Sequence, residues 1–489
     1  MTNITLLPAA QLAQMIRSRD VSIVDVVHEH LDRIELVNPQ INAYVTVVPE
    51  SALADADRLQ SELDAGHIRG PLHGVPLAIK DLFDFKAGVP NTFGVKELAD
   101  FIPDETSEHV DSLERQGLVV LGKTNTPEFG HKGVTDNRLF GPTSTPFLSG
   151  MNAGGSSGGS ASAVAAGIAT LAQGSDGGGS VRIPAALSGA VGFKPTFGVI
   201  GDVIRPDAWF AFNPYMGNGP IARSVEDCTL LLNAMSGYVP RDPGSVPIEC
   251  IDYSRSIFEP VSGIRVAFLP TLGGFPVQSD VASVTAEAVT ALEQLGLHVD
   301  TPSFAIPGGH QEASDLWTRF ISGALVAINS MFKDMGVDLQ STAWADMPPA
   351  FRSELERGLT MTVAQVRADQ NLRTAIFDSF ADVFENYDLI VSPTLAVSSI
   401  PNADDGWTVG PQVLSGETVD PTIGWCLTHP FNYTGSPAIS VPAGFTPEGA
   451  PVGLQIVGRR YEDSKVLAVA AALERARPWS HRYSQLFSS

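Results

Sequence analysis

Seven short apolar runs recur along this chain: "VPLAI" at 75–79, "LVVLG" at 118–122, "AVGFK" at 190–194, "IRVAFL" at 264–269, "DLIVSPT" at 388–394, "AISVPAG" at 438–444 and "VGLQIVG" at 452–458. Such runs suit strands buried on both faces of a sheet. A sheet of that kind needs helices over it, and the intervening segments supply them. "HVDSLERQG", "SVEDCTLLLNAMSG" and "DVASVTAEAVTALEQLG" each end at a glycine, as helices often do. Nearer the start, "SIVDVVHEHLDRIELV" sets Ile23, Val26, Val27, His30, Leu31 and Ile34 at helical spacing, with Ser22 placed to cap it. His30, on that apolar face, reads as a satisfied core histidine.

The pattern predicts a mixed α/β fold, a large central β-sheet surrounded by helices. No repeat of fixed period and no long linker interrupts it, so the 489 residues are read as one body. Its expected parts are N-terminal helices over 1–65, a core over 66–200, a looser region at about 203–385 and a C-terminal core segment over 386–489. Aromatics gather in the looser region: Trp209, Phe210, Phe212 and Tyr215, then Trp317, Phe320 and Phe332 on a helical stretch. That clustering suggests a substrate-side insertion or cap.

Charge narrows the class of partner. With 31 Lys and Arg against 54 Asp and Glu, the net charge of −23 disfavours a nucleic acid or an anionic membrane and favours a small substrate. Cys228, Cys250 and Cys426 lie far apart with no CxxC spacing, so neither a disulfide framework nor a thiolate metal site is expected. The first residues lack a basic region followed by an apolar run, and no stretch reaches the length of a membrane span; a cytoplasmic location is the expectation.

Two motifs mislead. "GLVVLGKT" at 117–124 matches the phosphate-loop pattern, but Leu118 to Leu121 read as a strand where that motif needs a loop. "GGSSG" at 154–158 fits the nucleophile elbow of a Ser-His-Asp hydrolase, yet the preceding "TSTPFLSGMNA" is loop-like and no histidine follows in the required context.

A different constellation carries chemistry. "GSDGGGSVRIP" at 174–184 sets Ser180 behind three glycines at the start of a helix. Glycines admit the backbone angles that turn successive N–H groups toward one spot, so this is a nest for an anion. Ser180 can attack a carbonyl there while the amides of Gly177, Gly178, Gly179 and Ser180 hold the oxyanion, one such donor contributing about 3 kcal/mol. A serine needs a base, and "VPLAIKD" ends an apolar strand at Lys80. Burial disfavours the ammonium form, so Lys80 can be neutral near pH 7 and accept a proton.

Taken together, "GVPLAIKDLF", "GGSSGGSASAVAAG", "GSDGGGSVRIPA" and "GFKPTFG" resemble the amidase signature family in order and spacing. "LGKTNTPEFG", "GPIARSVEDC", "DLIVSPT" and "GSPAISVPAGFTPEGAPVGLQIVG" extend the resemblance over nearly the whole chain, least at about 230–385. It implies a Ser-cisSer-Lys triad: Ser180 as nucleophile, Ser156, preceded by a cis peptide bond, relaying its proton, and Lys80 as base. Ser157 and Ser175 are expected to hydrogen-bond in support. Asp176 and Arg182 are expected to be structural, Arg182 bracing the loop by ion pairing, with an oxyanion role as the alternative. The reaction implied is acyl transfer to Ser180 and hydrolysis, with no metal or organic cofactor.

Substrate identity is thinner. The family includes amidases and the A component of glutamyl-tRNA amidotransferase, a glutaminase. In those components an aspartate precedes the segment equivalent to "THPFNYTGSPAISVPAG", and Trp425 stands at that place here, with Asp420 nearby. The departure points to an apolar or aromatic pocket, with Gly130, His131, Trp209 and Trp425 as candidate lining. His131 reads equally as a substrate contact or as a loop histidine with a backbone partner. The expectation is a standalone hydrolase of small uncharged amides, anilides or carbamates among them, with esterase side activity. Glutaminase is the alternative and an inactive interaction protein the remote one. A homodimer is expected from the resemblance alone.

Overall fold

All seven apolar runs are strands in the computed structural model, which describes residues 3–247, 251–334, 336–341 and 343–487. In chain order the strands are β1 (Tyr44–Val47), β2 (Pro76–Lys80), β3 (Val119–Thr124), β4 (Leu171–Asp176), β5 (Val191–Lys194), β6 (Gly217–Ala222), β7 (Arg265–Phe268), β8 (His298–Asp300), β9 (Leu389–Pro393), β10 (Val413–Leu414), β11 (Glu417–Thr418), β12 (Ala438–Phe445) and β13 (Pro451–Gly458). Eleven of them form one mixed sheet in the order β1-β3-β2-β4-β6-β5-β12-β13-β9-β7-β8, and β10 and β11 make a separate ribbon.

The apolar runs lack alternation because both sides of each strand are buried. Leu77 and Ile79 of β2, Leu389 and Val391 of β9, and Leu454 and Ile456 of β13 share one continuous core on one face. Their neighbours turn the other way: Ala78 enters a second core under the N-terminal helices, while Ile390 and Val457 enter a third beside the helix Gly309–Asp334. Ser22 caps the helix Ile23–Ile41 by accepting from the Asp25 N–H at 3.0 Å. His30 is buried in that helix with Nδ1 2.7 Å from the Val26 carbonyl and Nε2 2.9 Å from Thr170 Oγ1. Burial pulls its pKa to about 4, so it is a neutral core histidine.

The phosphate-loop look-alike is β3 itself. Lys123 Nζ, fully buried, donates to the backbone carbonyl of Asp84 instead of reaching toward a phosphate. Cys228 and Cys426 are buried free thiols, and Cys250 lies outside the described residues. Among the described residues no helix is long and apolar enough to cross a membrane.

Topology places the site. Strand β2 runs parallel to both β3 and β4, so Lys80 and Asp176 emerge at the same, carboxyl-terminal edge of the sheet. In open α/β sheets that edge is where chain segments diverge and leave a crevice.

Candidate active site

Lys80 is the last residue of β2 and is fully buried. Its amine lies 2.7 Å from Ser156 Oγ and 3.0 Å from Ser175 Oγ, and its backbone N–H donates to Gln173 Oε1 at 3.2 Å. Burial lowers its pKa from 10.5 to about 7, with Asp84 and Asp176 pulling weakly the other way. A neutral amine at that position accepts a proton from the hydroxyl it touches.

The stretch "GGSSGGS" runs as a loop into the helix Gly158–Ala165, and the Gly155–Ser156 peptide bond is cis. Small residues are required here by close approach. A Cβ on Gly155 would sit 2.6 Å from the backbone carbonyl carbon of Val134, inside any allowed contact. Ser157 ties the two glycine-rich segments together: its N–H donates to the Ser180 carbonyl at 3.2 Å, and its Oγ lies 3.3 Å from both the Ser175 carbonyl and the Ser175 N–H.

Ser180 follows β4 across the three glycines and lines, with Ser156 and Ser175, a single cleft. Gly179 adopts φ +125°, a conformation that excludes side chains, and a Cβ there would run into Thr428 Oγ1. Of the four amides expected to face an oxyanion, that of Gly179 is already committed, its N–H donating to Asp176 Oδ1 at 2.8 Å. The amides of Gly177, Gly178 and Ser180 have no protein acceptor among the described residues.

Arg182 braces this loop from below and is fully buried. Its Nε and one terminal nitrogen pair with Asp176 at 3.0 and 2.9 Å. The remaining bonds run to the Thr428 carbonyl at 3.0 Å, Gln455 Oε1 at 2.6 Å and Asn432 Oδ1 at 2.7 Å. All five guanidinium donors are thereby used, which removes the alternative of an oxyanion contact from Arg182. Burial opposes the charge on Asp176, but the adjoining guanidinium outweighs it and the pKa settles at about 2.

The cleft walls come from distant parts of the chain. Trp317, Ile321, Ala324, Leu325 and Ile328 present one stripe of the helix Gly309–Asp334 at 3.6-residue spacing. Leu82, Phe83, Phe129 and Phe210 add apolar surface, and Asp84, Asp202, Asn218 and Asp242 line it with polar groups. Gly130 and His131 line it as well. His131 also has the backbone partner, its Nδ1 lying 2.8 Å from the Glu128 carbonyl. Burial and the neighbouring Lys132 drop its pKa to about 3, leaving a neutral ring whose Nε2 lacks a partner.

Two lining expectations are corrected. Trp425 is wholly buried away from the cleft, with Nε1 donating to the Pro421 carbonyl at 3.2 Å and the indole set against Gly133 and Gly410. Those glycines leave a slot that its ring fills. Trp209 is 64% exposed and points outward, while Ala208 and Phe210 on either side face the cleft.

Sequence reasoning passed over the groups that hold the nest from outside. Trp317 Nε1 donates to the Gly177 carbonyl at 3.0 Å, and Thr428 Oγ1 donates to the Gly178 carbonyl at 2.6 Å. Trp317 stood out only as one of several gathered aromatics, and Thr428 only as part of a family-like segment. Among the described residues no group of three or more His, Cys, Asp or Glu is placed to hold a metal ion.

The comparisons identify the family over nearly the whole chain. The amidase family model matches residues 25–467. An acylamidase of Rhodococcus erythropolis is 39% identical over 484 residues, spanning 98% of this chain and 97% of the relative. The A component of the glutamyl-tRNA(Gln) amidotransferase of Dehalococcoides mccartyi is 33% identical over 98% of this chain and 99% of its own. The crystal structure of a bacterial aryl acylamidase of the amidase signature family superposes with a TM-score of 0.95 at 38% identity, covering 98% of both chains. With its triad candidates at the carboxyl edge of an eleven-stranded mixed sheet, the chain belongs to the amidase signature family and is an amidohydrolase acting on C–N bonds.

Proposed function

We propose that this amidase works alone on small uncharged amides, N-aryl amides and aryl carbamates among them, and releases acid and amine through a seryl acyl-enzyme. In this reading Ser180 attacks the carbonyl carbon while Ser156 takes its proton and passes its own to neutral Lys80. The 2.7 Å contact between Lys80 and Ser156 supports that relay. The oxyanion is held by the amides of Gly177, Gly178 and Ser180, which the nest leaves without protein acceptors. The proton returns through Ser156 to the leaving amine, and water then releases the acid from Ser180.

The substrate reading is carried by one observation: the cleft over Ser156 and Ser180 is walled by Phe83, Phe129, Phe210, Trp317, Leu325 and Ile328. Glutamine would bring a carboxylate and an ammonium that each need a partner once buried. Among the described residues no arginine lines the cleft, and the lining Lys194 spends its Nζ on the carbonyls of Pro195 and Ser436. The names of the Rhodococcus acylamidase and the aryl acylamidase structure favour the same side.

The test is amine or ammonia release by the purified chain from a neutral anilide, an aryl carbamate and L-glutamine, with Ser180→Ala as blank. Turnover of the neutral compounds alone is the expected result. Glutaminase activity, or silence until a partner protein is added, would reverse the substrate reading, and turnover by Ser180→Ala would sink the nucleophile.

A further inference from the structure

Five polar side chains close a ring beside the base. Asp84 Oδ1 is hydrogen-bonded to His109 Nε2 at 2.7 Å, while His109 Nδ1 faces Asp202 Oδ1 at 3.3 Å, an ion-pair distance without hydrogen-bond alignment. Asn218 Nδ2 donates to Asp202 Oδ2 at 3.2 Å. Gln173 Nε2 closes the circle, donating to Asn218 Oδ1 at 3.0 Å and to Asp84 Oδ1 at 2.7 Å. The members come from five separate places: the segment after β2, the helix Glu108–Arg115, β4, β6, and the loop 201–216 that forms one cleft wall.

His109 is buried and faces a carboxylate at each ring nitrogen. A neutral imidazole can hydrogen-bond Asp84 with its one N–H but leaves Asp202 beside an uncharged ring, whereas the imidazolium offers positive charge to both carboxylates. Burial works against that charge, but Asp202 and Asp84 overcome it and lift the pKa to about 10. The ring also touches the base directly, because Gln173 accepts the Lys80 backbone N–H.

We propose that His109 is a positioning residue with two linked tasks: it balances the charge of Asp84 beside Lys80, and through Asp202 it ties the cleft wall to the catalytic strands. The inference rests on Lys80 being the base. The charged groups acting on Lys80 are Asp84 and Asp176. Those acting on His109 are Asp84 and Asp202, and Lys123 and Asp81 lie on the far side of Asp84. With the imidazolium removed, the Asp84 carboxylate favours the ammonium form of Lys80, and the base is freed only at higher pH.

The experiment uses the full chain and a neutral anilide, with kcat and KM measured against pH for His109→Gln and Asp202→Asn. His109→Gln is expected to move the acid limb of kcat/KM up by about one pH unit and to raise KM severalfold. Asp202→Asn is expected to raise KM with the limb in place. An unmoved limb in His109→Gln, or an unchanged KM in both variants, overturns the proposal. The wild-type protein gives an independent reading that needs no variant to fold: ¹⁵N shifts of His109 at about pH 8 should show both ring nitrogens protonated, and a neutral ring there overturns it equally. Wild-type rates in Lys80→Ala would instead remove the base assignment, a result distinct from either of these.

Discussion

Protonating Lys80 should switch this amidase off within the neutral pH range. The side chain is fully buried, and its pKa drops from 10.5 to about 7 because burial penalises the ammonium more than Asp84 and Asp176 favour it. At about pH 7 roughly half the molecules then carry a free amine, against roughly one in three thousand for an unperturbed lysine, a gain in available base on the order of 10³. With a neutral anilide, which does not itself titrate, kcat/KM should fall about tenfold per pH unit below about pH 7 and level off above it. A flat profile between about pH 5 and 8, or an inflection near pH 10, would refute burial as the source of the base.

The same burial has a consequence for stability. The folded pKa lies below the unfolded one, so the unfolded chain binds more protons between about pH 7 and pH 10.5 and stability rises with pH across that window. Below it both states are protonated and the cost of burying the charge is present in full. Lys80→Met should therefore be inactive yet more heat-resistant than the wild type at about pH 6, by on the order of a few kcal/mol. Thermal unfolding at about pH 6 and pH 9 checks this, and a lower Tm for the variant at pH 6 would contradict it.

Other substitutions probe the nest. Arg182→Ala leaves Asp176 buried with its charge unpaired and should cost about 3–5 kcal/mol, read by chemical denaturation; a loss below about 1 kcal/mol would mean that the pair does not hold the loop. Gly178→Ala drives a Cβ into the Trp317 indole that braces Gly177, and should lower kcat roughly 10²-fold while circular dichroism stays unchanged. Trp317→Phe keeps the apolar wall but drops the bond to the Gly177 carbonyl, so kcat should fall more than KM rises. Equal effects on both would make Trp317 a wall residue only.

How much was legible in the sequence follows from what each segment packs against. The seven apolar runs announced themselves because both faces of their strands are dry. Strands β4 "LAQGSD" and β6 "GNGPIA" did not, since their polar and glycine residues carry the site and the ring beside it. Their strand character comes from pairing with each other along five register positions, a long-range fact that no local propensity encodes. His109 sits in a short helix beside Val110 and Leu113 with nothing to distinguish it from a core histidine such as His30. Its charge is set by Asp84 and Asp202, one before it and one far after it in the chain.

Trp425 shows the limit from the other side. Its place in the chain points to a substrate contact, but an indole goes where space exists, and the slot left by Gly133 and Gly410 lies behind the cleft.

The sequence by itself determined the sheet's buried strands and the glycine-rich segments, because hydrophobic runs and glycines act locally on the backbone, and its family resemblance nominated Lys80, Ser156 and Ser180 as the triad candidates. Only the tertiary structure decided which amides remain free, that Arg182 has no donor to spare, and how the cleft is walled. Those properties depend on which groups are brought within about 3 Å of one another and shut away from water, and that is fixed by strands and helices hundreds of residues apart meeting at one edge of the sheet.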